Sequence, residues 1–119
     1  MLTVPHQVKI FVALQPVDMR RGFPGLCGEV RSTLEQDPLS GHLFLFRNRR
    51  RDRIKLLFWD GDGFAIFYKH LARGTFEFPQ VTDSDSSTIQ IRASELSMLL
   101  DGIELKGRKR RPRYERSAG

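Results

Sequence analysis

Residues 44–63 read FLFRNRRRDRIKLLFWDGDG, and the fold turns on this stretch. Two apolar runs flank a polar one. They predict strands over 42–47 and 53–59 joined by Asn48–Asp52, a five-residue connection of hairpin length. In the second strand Ile54, Leu56 and Phe58 share one face, and Lys55, Leu57 and Trp59 the other. Both faces are largely apolar, which predicts a central strand. Asp60-Gly61-Asp62-Gly63 is a tight-turn signal, because Asp-Gly supplies the positive φ that primed turns need. Residues 64–71 then continue as a third antiparallel strand. The spacing of Phe64, Phe67, Tyr68 and Leu71 also fits a helix, and the strand is the preferred reading.

Upstream, Val8, Ile10, Val12 and Leu14 alternate with Lys9, Phe11 and Ala13, the pattern of a half-buried strand ended by Pro16. Phe23, Leu26, Cys27, Val30 and Leu34 follow at steps of three and four, marking an amphipathic helix over 23–35. Pro24 suits its first turn, and Gly25 and Gly28 would let it sit close to a sheet. Cys27 lies on the apolar face and reads as a small buried hydrophobe. Downstream, 75–79 is a short extended segment, 80–87 a polar loop, 88–91 a short strand and 93–100 a helix buried through Leu96, Leu99 and Leu100. Arg92 stands where an N-cap Ser or Thr would be expected, with Ser94 a candidate cap one turn later; Gly102 ends the helix.

A chain of 119 residues predicts one domain with a single core. With 39% apolar and 29% charged residues it is globular in composition. No run approaches the roughly 20 apolar residues of a membrane span, the N-terminus lacks the plan of a signal peptide, and the single Cys27 forms no internal disulfide. A cytoplasmic protein without membrane contact is the expectation. The net charge is +6, and residues 106–119 carry seven basic side chains against Glu115, so the tail holds the whole excess. Such a tail, including Lys109, Arg110 and Arg111, reads as a nucleic-acid arm or as a solubilising, flexible extension of a domain spanning 1–105.

Catalytic patterns are absent from the sequence. His6, His42, His70 and Cys27 lack metal-ligand spacing. Asp60 and Asp62 are too few for a two-metal nuclease or a calcium loop and read as turn formers. No phosphate-binding glycine loop or serine elbow occurs. The expectation is a protein that is not an enzyme and has no cofactor and no metal. The chemistry on offer is charge. Arg47, Arg49, Arg50, Arg51, Arg53 and Lys55 crowd into nine residues against Asp52 alone. Screening over a Debye length of about 8 Å weakens their repulsion without removing it, and guanidinium pairs well with phosphate. Nucleic acid is the favoured partner, with an acidic protein surface or a merely solvated turn as alternatives. Arg20 and Arg21 are a weaker addition. Phe58, Trp59, Phe67 and Tyr68 could stack on unpaired bases, but their alternation favours core packing.

Three blocks carry a resemblance. They are Pro16-Val17-Asp18-Met19-Arg20-Arg21-Gly22-Phe23, the run from Asp37-Pro38-Leu39-Ser40-Gly41-His42 to Arg47, and the run from Asp52-Arg53-Ile54-Lys55 to Trp59-Asp60-Gly61-Asp62-Gly63. Together they resemble the accessory TnpB proteins of the insertion-sequence 66 family, products of the second open reading frame and unrelated to the RNA-guided nuclease of the same short name. Phe67-Tyr68-Lys69, Leu71, Gly74-Thr75-Phe76 and Leu99-Leu100-Asp101-Gly102-Ile103 extend the likeness over residues 8–104. The resemblance implies a helper in transposition, encoded beside a separate DDE-type transposase and a further small protein. It supplies no catalytic residues. Arg20, Arg21, Arg47, Arg53, Lys55 and Lys69 match the family pattern; Pro24 and the strongly basic tail depart from it.

The resulting expectation is an α+β domain: a small, mainly antiparallel sheet around 42–47, 53–59 and 64–71, packed with helices 23–35 and 93–100 and followed by a basic tail. Its expected function is accessory to DNA transposition. The Arg47–Lys55 hairpin, Arg20, Arg21, Lys69 and the tail would bind DNA phosphates and help assemble the complex with the transposase and other proteins of the element. The alternative is a protein-binding module that docks on the transposase without touching DNA.

Overall fold

Ile10–Ala13, strand β1, is buried at all four positions. The reason lies in what surrounds it. In the computed structural model, which describes residues 7–79 and 86–101, β1 is followed by helix α1 (Phe23–Ser32), strands β2 (Leu43–Arg47), β3 (Arg53–Trp59), β4 (Phe64–His70) and β5 (Thr88–Ile91), and helix α2 (Ala93–Asp101). The strands form one sheet in the order β4-β3-β2-β1-β5. Successive residues of β1 point to opposite faces. Ile10 and Val12 join Leu43, Leu45, Ile54, Leu56, Phe76 and Ile91 under Leu96 and Leu99 of α2. Phe11 and Ala13 join Phe44, Phe46 and Leu57 under Leu26, Cys27 and Val30 of α1. A helix lies on each face, so β1 is not half-buried as its alternation suggested.

The α+β fold expected from the sequence is the observed one. β2–β3 and β3–β4 are antiparallel hairpins, with Arg47 opposite Ile54 and Trp59 opposite Phe64. β5 is antiparallel to β1. Among the described strands only β1 and β2 run parallel, because the intervening α1 carries the chain back across the sheet, as a parallel pair requires. β4 is a strand, as preferred over the helical alternative.

Details at the helix ends differ from the expectation. α1 stops at Ser32, where the chain turns through Glu35 in the left-handed region (φ 55°) and Gln36 N–H donates to the Val30 carbonyl at 3.0 Å. Pro24 does sit in the first turn. The two glycines do not ease the helix onto the sheet: a Cβ on Gly25 would meet the Arg21 side chain at 3.1 Å, and one on Gly28 would meet nothing within 4 Å. α2 is started by Glu95 rather than Ser94. Its Oε1 accepts the Arg92 N–H at 2.9 Å, the reach-back half of a capping box.

Phe58 packs against the α2-side core and Trp59 meets Phe64 edge-on at 5.0 Å. Phe67 and Tyr68 do not join the core. They are 39% and 48% exposed, on a strand that forms the edge of the sheet among the described residues.

Candidate nucleic-acid interface

The β2–β3 connection is organised by one side chain. Asn48 Oδ1 accepts the backbone N–H groups of Asp52 and Arg53, each at 3.1 Å, and its Nδ2 donates to the Asp52 carboxylate at 2.6 Å. Asx side chains fold tight loops in this way. Arg51 N–H donates to the Asn48 carbonyl at 3.2 Å and takes a left-handed conformation, φ 62°. The segment after β4 buttresses the loop from behind: Leu71 N–H donates to Asp52 O at 2.8 Å and Phe76 N–H to Arg51 O at 2.7 Å. The hydrogen bond from Asn48 holds the Asp52 carboxyl below its ordinary range, with smaller help from His70 and Arg53. Asn48 carried a legible signal, an Asx residue opening a five-residue loop, although its importance to the site was not drawn from it.

This frame presents Arg49, Arg50 and Arg51 to solvent. Among the described residues, no carboxylate lies within ion-pair distance of these three or of Arg53.

The other cations read from the sequence do not share that surface. Arg47 is half-buried. Its Nη2 donates to the Leu14 carbonyl at 2.7 Å, its Nη1 to Asn48 O at 3.2 Å, and its guanidinium sits 5.7 Å from the Phe78 ring centre. Burial, and then the charge of Arg51, pushes its pKa down, yet an arginine stays protonated. Lys69 Nζ donates at 3.1 Å to the Leu100 carbonyl in the last turn of α2, where a cation suits the negative helix end. Both lie on the α2 side of the sheet.

On the α1 side stand Arg53, Lys55, Arg20 and Arg21. Lys55 Nζ donates to the Arg21 carbonyl at 2.8 Å and lies 5.2 Å from the Tyr68 ring centre. Arg20 pairs with Asp18 at 2.7 Å, and its hydrogen bonds hold the Asp18 carboxyl down to about 2. Arg21 pairs with Glu29, whose carboxyl is lowered first by the Thr33 hydroxyl at 2.8 Å and then by Arg21. Lys109, Arg110 and Arg111 lie outside the described residues.

At the far end of β3 the Asp60–Gly63 turn closes with Asp60 N–H donating to Gly63 O at 3.0 Å and Gly61 at φ 105°. The interaction between the two carboxyls pushes Asp60 down and Asp62 up. Among the described residues no three His, Cys, Asp or Glu side chains gather as a metal site would require. Cys27 is buried beneath α1, which raises its thiol pKa. No described helix is long and apolar enough to cross a membrane.

Residues 8–110 match the family described as IS66 Orf2 like protein. The chain is 41% identical over 105 residues to "Uncharacterized protein y4jC" of Sinorhizobium fredii, covering 88% of this chain and 87% of that one. It is 38% identical over 104 residues to "Uncharacterized protein y4hO" of the same organism, covering 87% and 88%. No solved structure matches.

Proposed function

The chain belongs to the IS66 Orf2-like family, accessory proteins of that insertion sequence, and on this premise we propose that it serves transposition by binding DNA phosphates through the β2–β3 loop. The observation that carries the reading is the triplet Arg49-Arg50-Arg51, exposed on a loop that Asn48, Leu71 and Phe76 hold in one shape. A loop backbone held in this way keeps three arginines side by side, and a phosphate backbone neutralises them where local carboxylates do not. Arg53 extends the charge along the sheet, and the basic tail adds a second contact. The acidic turn lies roughly 20 Å away, at about 3.4 Å per residue of β3, well beyond a Debye length of about 8 Å. Docking of this helper on duplex ends would bring it beside the transposase and the other proteins of the element.

The test is a fluorescence-anisotropy titration of a short duplex across a range of salt. It compares the full chain with the Arg49→Ala, Arg50→Ala, Arg51→Ala triple variant. Each phosphate contact contributes about −0.9 to the slope of log K against log salt, so the variant's slope should be shallower by about 2.7. The comparison separates loop from tail, because the tail is present in both proteins. Equal slopes and affinities would reject the loop as a DNA contact. The alternative, docking on the transposase without DNA, would then be favoured if the triple variant also failed to co-purify with transposase from a nuclease-treated lysate.

A further inference from the structure

Tyr68 is the feature that phosphate binding leaves without a role. It stands on the edge strand β4, its ring turned to the α1 side of the sheet opposite Lys55 of β3. The residues buried under α1 come from β1, β2 and the middle of β3, and Tyr68 is not among them. The ring is 48% exposed, although a tyrosine is a large apolar body whose exposure calls for a reason when it borders a concave site. It does border one. A cleft of about 460 Å³ is lined by Tyr68, Arg53, Val17, Met19 and the Asp18–Arg20 pair. That volume falls within the roughly 300–1,000 Å³ of small-molecule sites.

The chemistry of the walls is complementary to a nucleotide. Tyr68 offers a π-face, and Val17 and Met19 offer apolar surface. Lys55 approaches the ring from one side, anchored by its bond to the Arg21 carbonyl. The ring still contributes to the cleft wall. Arg53 supplies a guanidinium that is without an ion-pair partner among the described residues. Asp18 would repel a phosphate if it stood alone. Arg20 holds it through Nε at 3.1 Å and Nη2 at 2.7 Å, so the pair adds no net charge and Arg53 sets the sign of the cleft.

We infer that Tyr68 is a stacking platform for an unpaired nucleobase, with Arg53 on the adjoining phosphate, so that the protein prefers single-stranded or junction DNA to a continuous duplex. A base inside a duplex presents only its edge to a protein, whereas an unpaired base can lay its face on an aromatic ring. The inference rests on the DNA reading above and goes beyond it by naming the form of DNA.

The experiment uses the full chain with a short single strand carrying 2-aminopurine and, separately, the matching duplex. The wild-type protein should bind the single strand more tightly and quench the 2-aminopurine. Tyr68→Ala should weaken single-strand binding by about tenfold or more while leaving duplex binding within about twofold, and Tyr68→Phe should retain both. Thermal melts of the variants establish that each is folded. The quenching is read on the wild-type chain and needs no variant. Unquenched fluorescence in the wild-type complex overturns the stacking, and so does an equal loss of both DNA forms in a folded Tyr68→Ala protein. Either result leaves the phosphate reading intact. Absence of binding to both DNA forms at low salt overturns the two proposals together.

Discussion

β3 is entered and left by two turns that do the same mechanical job with opposite chemistry. The Asp60–Gly63 turn reverses the chain with a glycine at φ 105° and two carboxylates that interact with each other. The 48–52 loop uses an arginine in the left-handed region, places three cations side by side, and then requires a network to hold them. A left-handed non-glycine residue costs about 1–2 kcal/mol, and crowded like charges add to that. The first turn is what a hairpin needs. The second carries a burden that the first does not, which is why the proposed DNA contact is placed there.

The comparison breaks most readily at Asn48. Asn48→Ala removes three side-chain hydrogen bonds, one of them to a charged carboxylate. It should lower stability by about 2–3 kcal/mol in urea denaturation, with the loop amides losing hydrogen-exchange protection. Asp60→Ala, at the other turn, should cost well under half of that.

A mirrored pair of substitutions sharpens the contrast. Gly61→Ala places a Cβ at φ 105°, where open space does not relieve backbone strain, and should destabilise by about 1–2 kcal/mol. Arg51→Gly relieves the strain at φ 62° and should stabilise by up to about 1 kcal/mol. If DNA is the partner, the same change should shorten the salt slope by about 0.9. A variant that is more stable yet binds less well would show that the loop's conformation is kept for its charge. Loss of stability in Arg51→Gly would remove the argument from strain.

The smallest effect is electrostatic. Asp18 is held at about 2 by Arg20, below the ordinary carboxylate value of about 3.9. A lowered folded-state pKa means that its contribution is complete above about pH 4 and is lost as pH falls through 2. Because the group is exposed, the loss of stability should be slight. The side-chain carboxyl resonance of Asp18 should nonetheless titrate below those of other exposed aspartates, and Arg20→Ala should return it to the ordinary range.

How much of this was legible depended on distance along the chain. Both hairpins, their turns and the central place of β3 follow from neighbouring residues, and all were readable. The parallel β1–β2 pair and the seat of β5 beside β1 were not, because strand order leaves no local trace. The same gap misplaced Phe67 and Tyr68, whose alternation looks like that of a core strand until β4 is seen to be an edge. It also hid the work of three cations. Arg47, Lys55 and Lys69 bind the carbonyls of Leu14, Arg21 and Leu100, which lie 33, 34 and 31 residues away. In sequence Arg47 and Lys55 look like members of one basic cluster and Lys69 like a lone cation; in space each ties two distant elements together.

The place of β1 has a kinetic consequence. β2, β3 and β4 are joined by connections of five and four residues and can zip together on the microsecond scale of hairpins. β1 waits for a partner from the opposite end of the domain: Thr88 Oγ1 donates to the Val12 carbonyl from 76 residues away. Closing so long a loop carries the largest entropic penalty in the sheet, and contacts of such separation slow folding. Refolding should therefore run from the meander outward. In pulse-labelled hydrogen exchange the amides of β3 should be protected before those of β1 and β5, and the two helix-covered cores should close last, together, along the strand they share.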